Sequence, residues 1–165
     1  IGNCLFEAIA AGVPDARGAS IRAQLVEFIH TNAELRDRII AGAGTETLRT
    51  VDGDIIYRDV DHYLELMSCD RTWGTHIELI AAALMLRRPI VLLTPGNTYD
   101  DIFVEEEAYA EEAPLFINWV ENNHYEPLSI PVGRKGEDIL RDIRENIEQQ
   151  RLAREAKAAA RPAVT

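Results

Sequence analysis

Apolar residues at Ile21, Leu25, Phe28 and Ile29 fall on one face of a helix that Ser20 is placed to cap. Ahead of it, "CLFEAIA" reads as a short helix from Cys4 to Ala10, followed by a "GVPDARG" loop. A further helix is expected from about Ala33 to Ile40, ended by the glycines of "AGAG". "TLRTVDGDIIYRD" then reads as a hairpin turning at Asp52-Gly53. Val60, Tyr63, Leu64 and Met67 return to helical spacing.

In "THIELIAAALMLRR" apolar residues occupy every face, which predicts a helix buried between other elements, and Thr75 with Glu78 forms a capping box at its start. Pro89 stops it. "IVLLT" (90–94) has the continuous apolar run of a strand covered on both faces. Strands are expected at 101–105 and 114–120, with "YEPLS" (125–129) as a return strand pairing with 115–120. From Gly136 a long charged helix carries a thin apolar stripe of Leu140, Ile143 and Ile147. Helices first and strands later predict an α+β fold and not a regular alternation.

A chain of 165 residues suits one core, burying roughly two thirds of the surface its unfolded form exposes. The domain is expected over 1–135, with 136–165 as a charged helix and tail that extend it. No apolar run is long enough to span a bilayer. Acidic residues outnumber basic ones 28 to 17, for a net charge of −11, which argues against nucleic acid and for a partner carrying positive charge. The acidic positions between Asp100 and Glu112 read as a solvated face or as a field guiding a basic ligand. Two cysteines, Cys4 and Cys69, make no disulfide framework and no metal spacing, and they suit a reducing compartment such as the cytoplasm. No secretory signal is visible, and because the chain begins inside a motif, residues are expected upstream of Ile1.

Two stretches hold candidate chemistry. Cys4 begins a helix, where partial positive charge and unpaired N–H groups stabilise a thiolate, and Gly2 allows a tight backbone bend that can aim N–H groups at an oxyanion. The alternative is a small packed residue. His124 lies beside an expected strand, and Glu126, two positions on, would share its side and could hold the far ring nitrogen. The alternative there is a polar surface turn. Asp52, Gly53 and Asp54, with Asp59 and Asp61 nearby, lack the spacing of a calcium loop and read as a turn. His30 and His62 have no ligand constellation around them.

"GNCLFEAIA", "WGTHIELIAAALMLRRPIVLL" and "NHYEPL", in that order, resemble the blocks of the ovarian-tumour (OTU) family of cysteine deubiquitinases over residues 1 to about 130. The resemblance implies a papain-like fold with a small sheet packed between helices. It implies Cys4 as nucleophile, His124 as general base and acid, and Glu126 where the family has an Asp or Asn that orients the histidine. Backbone N–H groups around Gly2, Asn3 and Cys4 would bind the oxyanion, and Trp73 and His76 would be framework residues, Trp73 beside the cleft. No cofactor or metal is implied. The implied partner is ubiquitin or polyubiquitin, in the cytoplasm, or in a host cytosol if the chain is a bacterial effector. Two positions depart from the pattern. Ile1 replaces an acid, and Glu126 is one methylene longer than Asp, so Asn122 or Asn123 could orient His124 instead and the chain could bind ubiquitin without efficient cleavage.

Overall fold

Leu79, Ile80 and the three alanines 81–83 are all buried in α5 (His76–Leu86), the helix whose apolar residues leave it no solvent face. Its start is fixed as the sequence predicts. Thr75 accepts from the Ile77 N–H at 3.1 Å, and Glu78 accepts from the Thr75 N–H at 2.7 Å. The computed structural model that shows this describes residues 2–94, 98–103, 114–120, 124–128 and 136–160.

Around α5 lie α1 (Cys4–Ala11), α2 (Gly18–His30), α3 (Ala33–Gly42) and α4 (Val60–Ser68). Of the inward residues expected in α2, Ile21, Leu25 and Ile29 are buried and Phe28 half-buried, with Arg22 buried beside them, and in α4 Val60, Tyr63, Leu64 and Met67 are all buried. Ser20 does not cap α2. The helix begins two residues earlier, at Gly18, with Arg17 in extended conformation before it. Asn32 caps α3 by accepting from the Leu35 N–H at 3.0 Å, and Asp59 caps α4 by accepting from the His62 N–H at 2.8 Å.

Strands β1 (Thr47–Thr50) and β2 (Gly53–Ile56) form a separate hairpin, closed one residue earlier than the Asp52-Gly53 turn expected. Thr50 opposes Gly53, leaving Val51 and Asp52 at the tip. The Thr50 hydroxyl bridges this turn, accepting from the Asp52 N–H and donating to the Gly53 carbonyl, while Gly53 takes the positive φ of +100° needed to leave it.

The main sheet has the order β4-β3-β5-β6, built from β3 (Ile90–Thr94), β4 (Thr98–Phe103), β5 (Leu115–Val120) and β6 (His124–Leu128). β3 and β5 run parallel and the other pairs antiparallel, so this is an α+β fold with a small mixed sheet. β3 lies where expected, with residues 90–93 buried. β4 starts three residues earlier than expected, and β6 starts at His124 itself. α1 packs on β5 and β6, and α5 on β3 and β4, so helices cover the sheet. α6 (Gly136–Ala159) follows, with Ile143 and Ile147 buried as its pattern foretells.

Glu78 is the buried acid among the described residues, and it joins two helices. The Tyr63 hydroxyl donates to its second oxygen at 2.7 Å, and Tyr63 lies edge-on to Tyr57 at 4.9 Å. Burial pushes the Glu78 carboxyl up, against the hydrogen bonds from Tyr63 and Thr75 that favour its ionised form. The folded chain therefore holds this proton more tightly than the unfolded chain. Stability present at low pH is lost as pH rises from about 4.5 through the folded value. In denaturant titrations between about pH 4 and about pH 8, wild type should lose stability relative to Glu78→Gln as pH rises. A difference independent of pH would contradict this. Glu78→Ala, which strands the Thr75 N–H and leaves the Tyr63 hydroxyl with the Thr75 hydroxyl alone, should cost about 2 kcal/mol.

Candidate active site

Cys4 is the first residue of α1, and its position is set by the two residues before it. Gly2 has φ +95°, a conformation that suits glycine, and a Cβ there would collide with the Arg71 carbonyl. Asn3 occupies the N-cap position but makes no cap to its own helix. Its Oδ1 instead accepts from Arg22 Nη2 at 2.6 Å and from the Arg71 N–H at 2.9 Å, while its Nδ2 donates to Asp70 Oδ1 at 2.8 Å. That amide bond holds the Asp70 carboxyl below the usual carboxylate range. The backbone carbonyl of Asn3 accepts from the Glu7 N–H at 3.0 Å, as the first turn of a helix requires.

Arg22 is the central donor of this arrangement, and it is 5% exposed. Its Nη1 donates to the Met67 carbonyl at 2.9 Å, its Nη2 reaches the Gly2 carbonyl at 3.4 Å, and its guanidinium lies 3.9 Å from the centre of the Phe6 ring. Burial lowers its pKa, opposed by the charges of Asp70 and Glu78. Sequence reading passed over Arg22. The signal was present, because positions 22, 25 and 29 share a helical face and an arginine on an apolar stripe needs internal acceptors.

His124 stands opposite Val120 where β6 begins, and Glu126 opposite Asn118. Two residues apart on a strand, they share a side, and His124 Nε2 lies 3.5 Å from Glu126 Oε1, an ion pair when the ring is protonated. Both side chains are about half exposed. The packing of α1 on β6 brings the two stretches together: Gly2, Asn3, Cys4, Glu7, His124 and Glu126 line one cavity of about 650 Å³, with Trp73 and Tyr125 in its wall. Asn122, Asn123 and Ile1 lie outside the described residues, as does the acidic stretch from 104 to 112.

Trp73 and Tyr125 also wall a neighbouring cavity of about 310 Å³, bounded by the β1–β2 hairpin, the start of α5 and Trp119. Arg49 lies over the Trp73 ring at 4.9 Å and pairs with Asp54 at 3.5 Å across the hairpin. His76 is exposed at the rim of this second cavity. The indole N–H of Trp119 is buried and finds no hydrogen-bond partner among the described residues. Both cysteines are thiols, and Cys69, exposed after α4, turns its Sγ back on the Glu65 carbonyl at 3.4 Å. No cluster of metal-ligating side chains occurs among the described residues.

Such a cavity, with a thiol at a helix start and an imidazole beside a carboxylate on a strand, has the parts for nucleophilic acyl transfer. Comparison with curated proteins finds no match. Solved structures share the fold. The OTU domain of OTUD1 aligns at TM-score 0.57 and 24% identity, over 76% of this chain and 78% of that one. An ovarian tumor (OTU) domain in complex with ubiquitin aligns at TM-score 0.55 and 16% identity, over 90% and 83%. An OTU deubiquitinase from Wolbachia pipientis wMel bound to ubiquitin aligns at TM-score 0.54 and 14% identity, over 77% and 89%. A family model for OTU-like cysteine proteases matches residues 1–125, most of the chain, and the chain belongs to that family.

Proposed function

We propose that the chain is a deubiquitinase, hydrolysing the bond between the C-terminal glycine of ubiquitin and a substrate lysine, with Cys4, His124 and Glu126 as its catalytic residues. The observation that carries the reading is that Cys4 and His124, 120 positions apart in sequence, wall the same cavity. The Cys4 thiolate attacks the glycine carbonyl carbon, and N–H groups of the 2–4 segment stabilise the oxyanion that forms. Collapse of this intermediate breaks the C–N bond, and the His124 imidazolium gives its proton to the departing lysine amine. A water deprotonated by the same imidazole then attacks the thioester, releasing the ubiquitin carboxylate and the Cys4 sulfur. Glu126 keeps the ring oriented through Nε2.

The surroundings suit a basic, extended peptide. Glu7 and Glu126 border the main cavity, and the two cavities share Trp73 and Tyr125 as a common wall. A tail entering along that wall meets aromatic faces and carboxylates, within a chain of net charge −11.

A ubiquitin bearing a C-terminal electrophile should form a covalent adduct with wild type and with Cys69→Ala but not with Cys4→Ala. An unmodified wild type under reducing conditions would count against the assignment. His124→Ala should slow cleavage of di-ubiquitin by about 10²-fold or more. Glu126→Ala should cause a smaller loss, because it acts through the histidine. A second reading, a module that binds ubiquitin without efficient cleavage, draws on the 3.5 Å separation and half exposure of the His124–Glu126 pair. It expects wild type to bind ubiquitin and leave all eight di-ubiquitin types intact.

A further inference from the structure

The two cavities suit a basic peptide, yet their walls already hold a cation. Arg49 is the sole arginine or lysine among the described residues that line them. Cross-strand pairing sets Arg49 opposite Asp54, so both side chains leave the same face of the β1–β2 hairpin, the face that bounds the smaller cavity. There the guanidinium lies 4.9 Å from the centre of the Trp73 ring, and its Nε lies 3.5 Å from Asp54 Oδ1. The backbone ties ring and arginine together, because the Trp73 N–H donates to the Arg49 carbonyl at 2.9 Å. An aromatic face beside a carboxylate is a seat for a guanidinium or an ammonium. In this chain the seat is taken by the chain's own residue.

The hold is light. The side chains of Arg49 and Asp54 are 54% and 56% exposed, and an exposed ion pair or cation–π contact changes an equilibrium by about fivefold or less. The catalytic cavity opens on the same wall, since Trp73 and Tyr125 line both spaces. A basic side chain of a peptide lying along that wall can therefore exchange with Arg49.

We propose that Arg49 is a specificity-determining residue that occupies, in cis, the cation seat formed by Trp73 and Asp54, and that a basic residue of the ubiquitin tail displaces it on binding. The proposal rests on the deubiquitinase reading. Because one cation replaces another, the wild-type seat adds little affinity for a basic tail over a neutral one. Removing Arg49 opens the seat, and only then does the tail's charge count there. Cleaved ubiquitin keeps the same tail, so a self-occupied seat also shortens the stay of the product.

The test measures binding of ubiquitin by calorimetry to the full chain carrying Cys4→Ala, so that no turnover intervenes. Two ligands are compared: ubiquitin with its natural tail, and ubiquitin with the basic residues of its tail replaced by glutamine. Into this parent go Arg49→Ala, Arg49→Gln, Asp54→Asn and the double variant Arg49→Ala/Asp54→Asn, each checked for folding by circular dichroism. Arg49→Ala should bind the natural tail about fivefold more tightly than the parent and the neutral tail equally well. Arg49→Gln, uncharged, should shift affinity in the same direction. Asp54→Asn alone should change affinity for the natural tail by less than about twofold, because the seat loses its carboxylate for both competing cations. In the double variant most of the gain should vanish.

An Arg49→Ala chain that binds the natural tail no better than the parent, or gains equally for both tails, would overturn the proposal. So would a full gain in the double variant, which sets the tail's charge away from Asp54. Failure of both Arg49 variants to fold assigns the residue to the hairpin's stability and overturns it too. If ubiquitin binds no chain and the chain with Cys4 intact takes no electrophilic adduct, the deubiquitinase reading falls and takes this one with it. If the adduct forms and ubiquitin binds, but Arg49→Ala matches the parent, only the role of Arg49 is lost.

Discussion

A thiol at a helix start is useful to chemistry only when the backbone ahead of it is held, since two or three soft dihedrals there decide where every nearby N–H points. In this chain the hold comes from the hydrogen bond between Arg22 Nη2 and Asn3 Oδ1 at 2.6 Å, closed in by Met67, Phe6 and the Arg71 N–H. Burial makes that hold stiff. A guanidinium this inaccessible cannot exchange its acceptors for water, so loosening one contact leaves a charge unsolvated. The segment that leads into Cys4 thus takes its geometry from α2 and from the turn after α4, two parts of the chain distant from it in sequence.

The opposite wall is held by a second polar insertion into the apolar core. Glu78 ties Thr75 to Tyr63, and Thr75 directly follows Trp73 and Gly74. Gly74 is closely fitted: a Cβ there would strike the Leu5 side chain, one residue beyond Cys4. The aromatic wall of the cleft and the helix carrying Cys4 are therefore packed as one piece. Among the described residues the buried charged groups are Arg22 and Glu78, and each anchors backbone beside the paired cavities while the apolar core holds the rest of the fold.

Much of this was legible in the sequence. The Thr75–Glu78 capping box, the apolar strand at 90–94 and the stripes of α2 and α4 follow from local pattern, because capping and periodic burial are decided within a few residues. The His124–Glu126 relation was also legible, since residues two apart on a strand share a side whatever lies beyond. The hairpin turn moved by one residue because the Thr50 hydroxyl and the positive φ of Gly53 outweigh a dipeptide preference. The spacing of positions 22, 25 and 29 placed an arginine on a buried face, but the acceptors of Arg22, the parallel pairing of β3 with β5 and the diversion of Asn3 were not legible. Each depends on groups brought together by tertiary packing.

Trp73 and Trp119 are the two tryptophans of the chain, and both stand in the walls of the paired cavities. Indole emission shifts with the polarity and hydrogen bonding of its surroundings, and here all of it originates beside the cleft. The molecule carries its own optical gauge. Excitation of the unlabelled protein watches the cleft alone, so filling it should register as a colour change unobscured by signal from elsewhere in the chain.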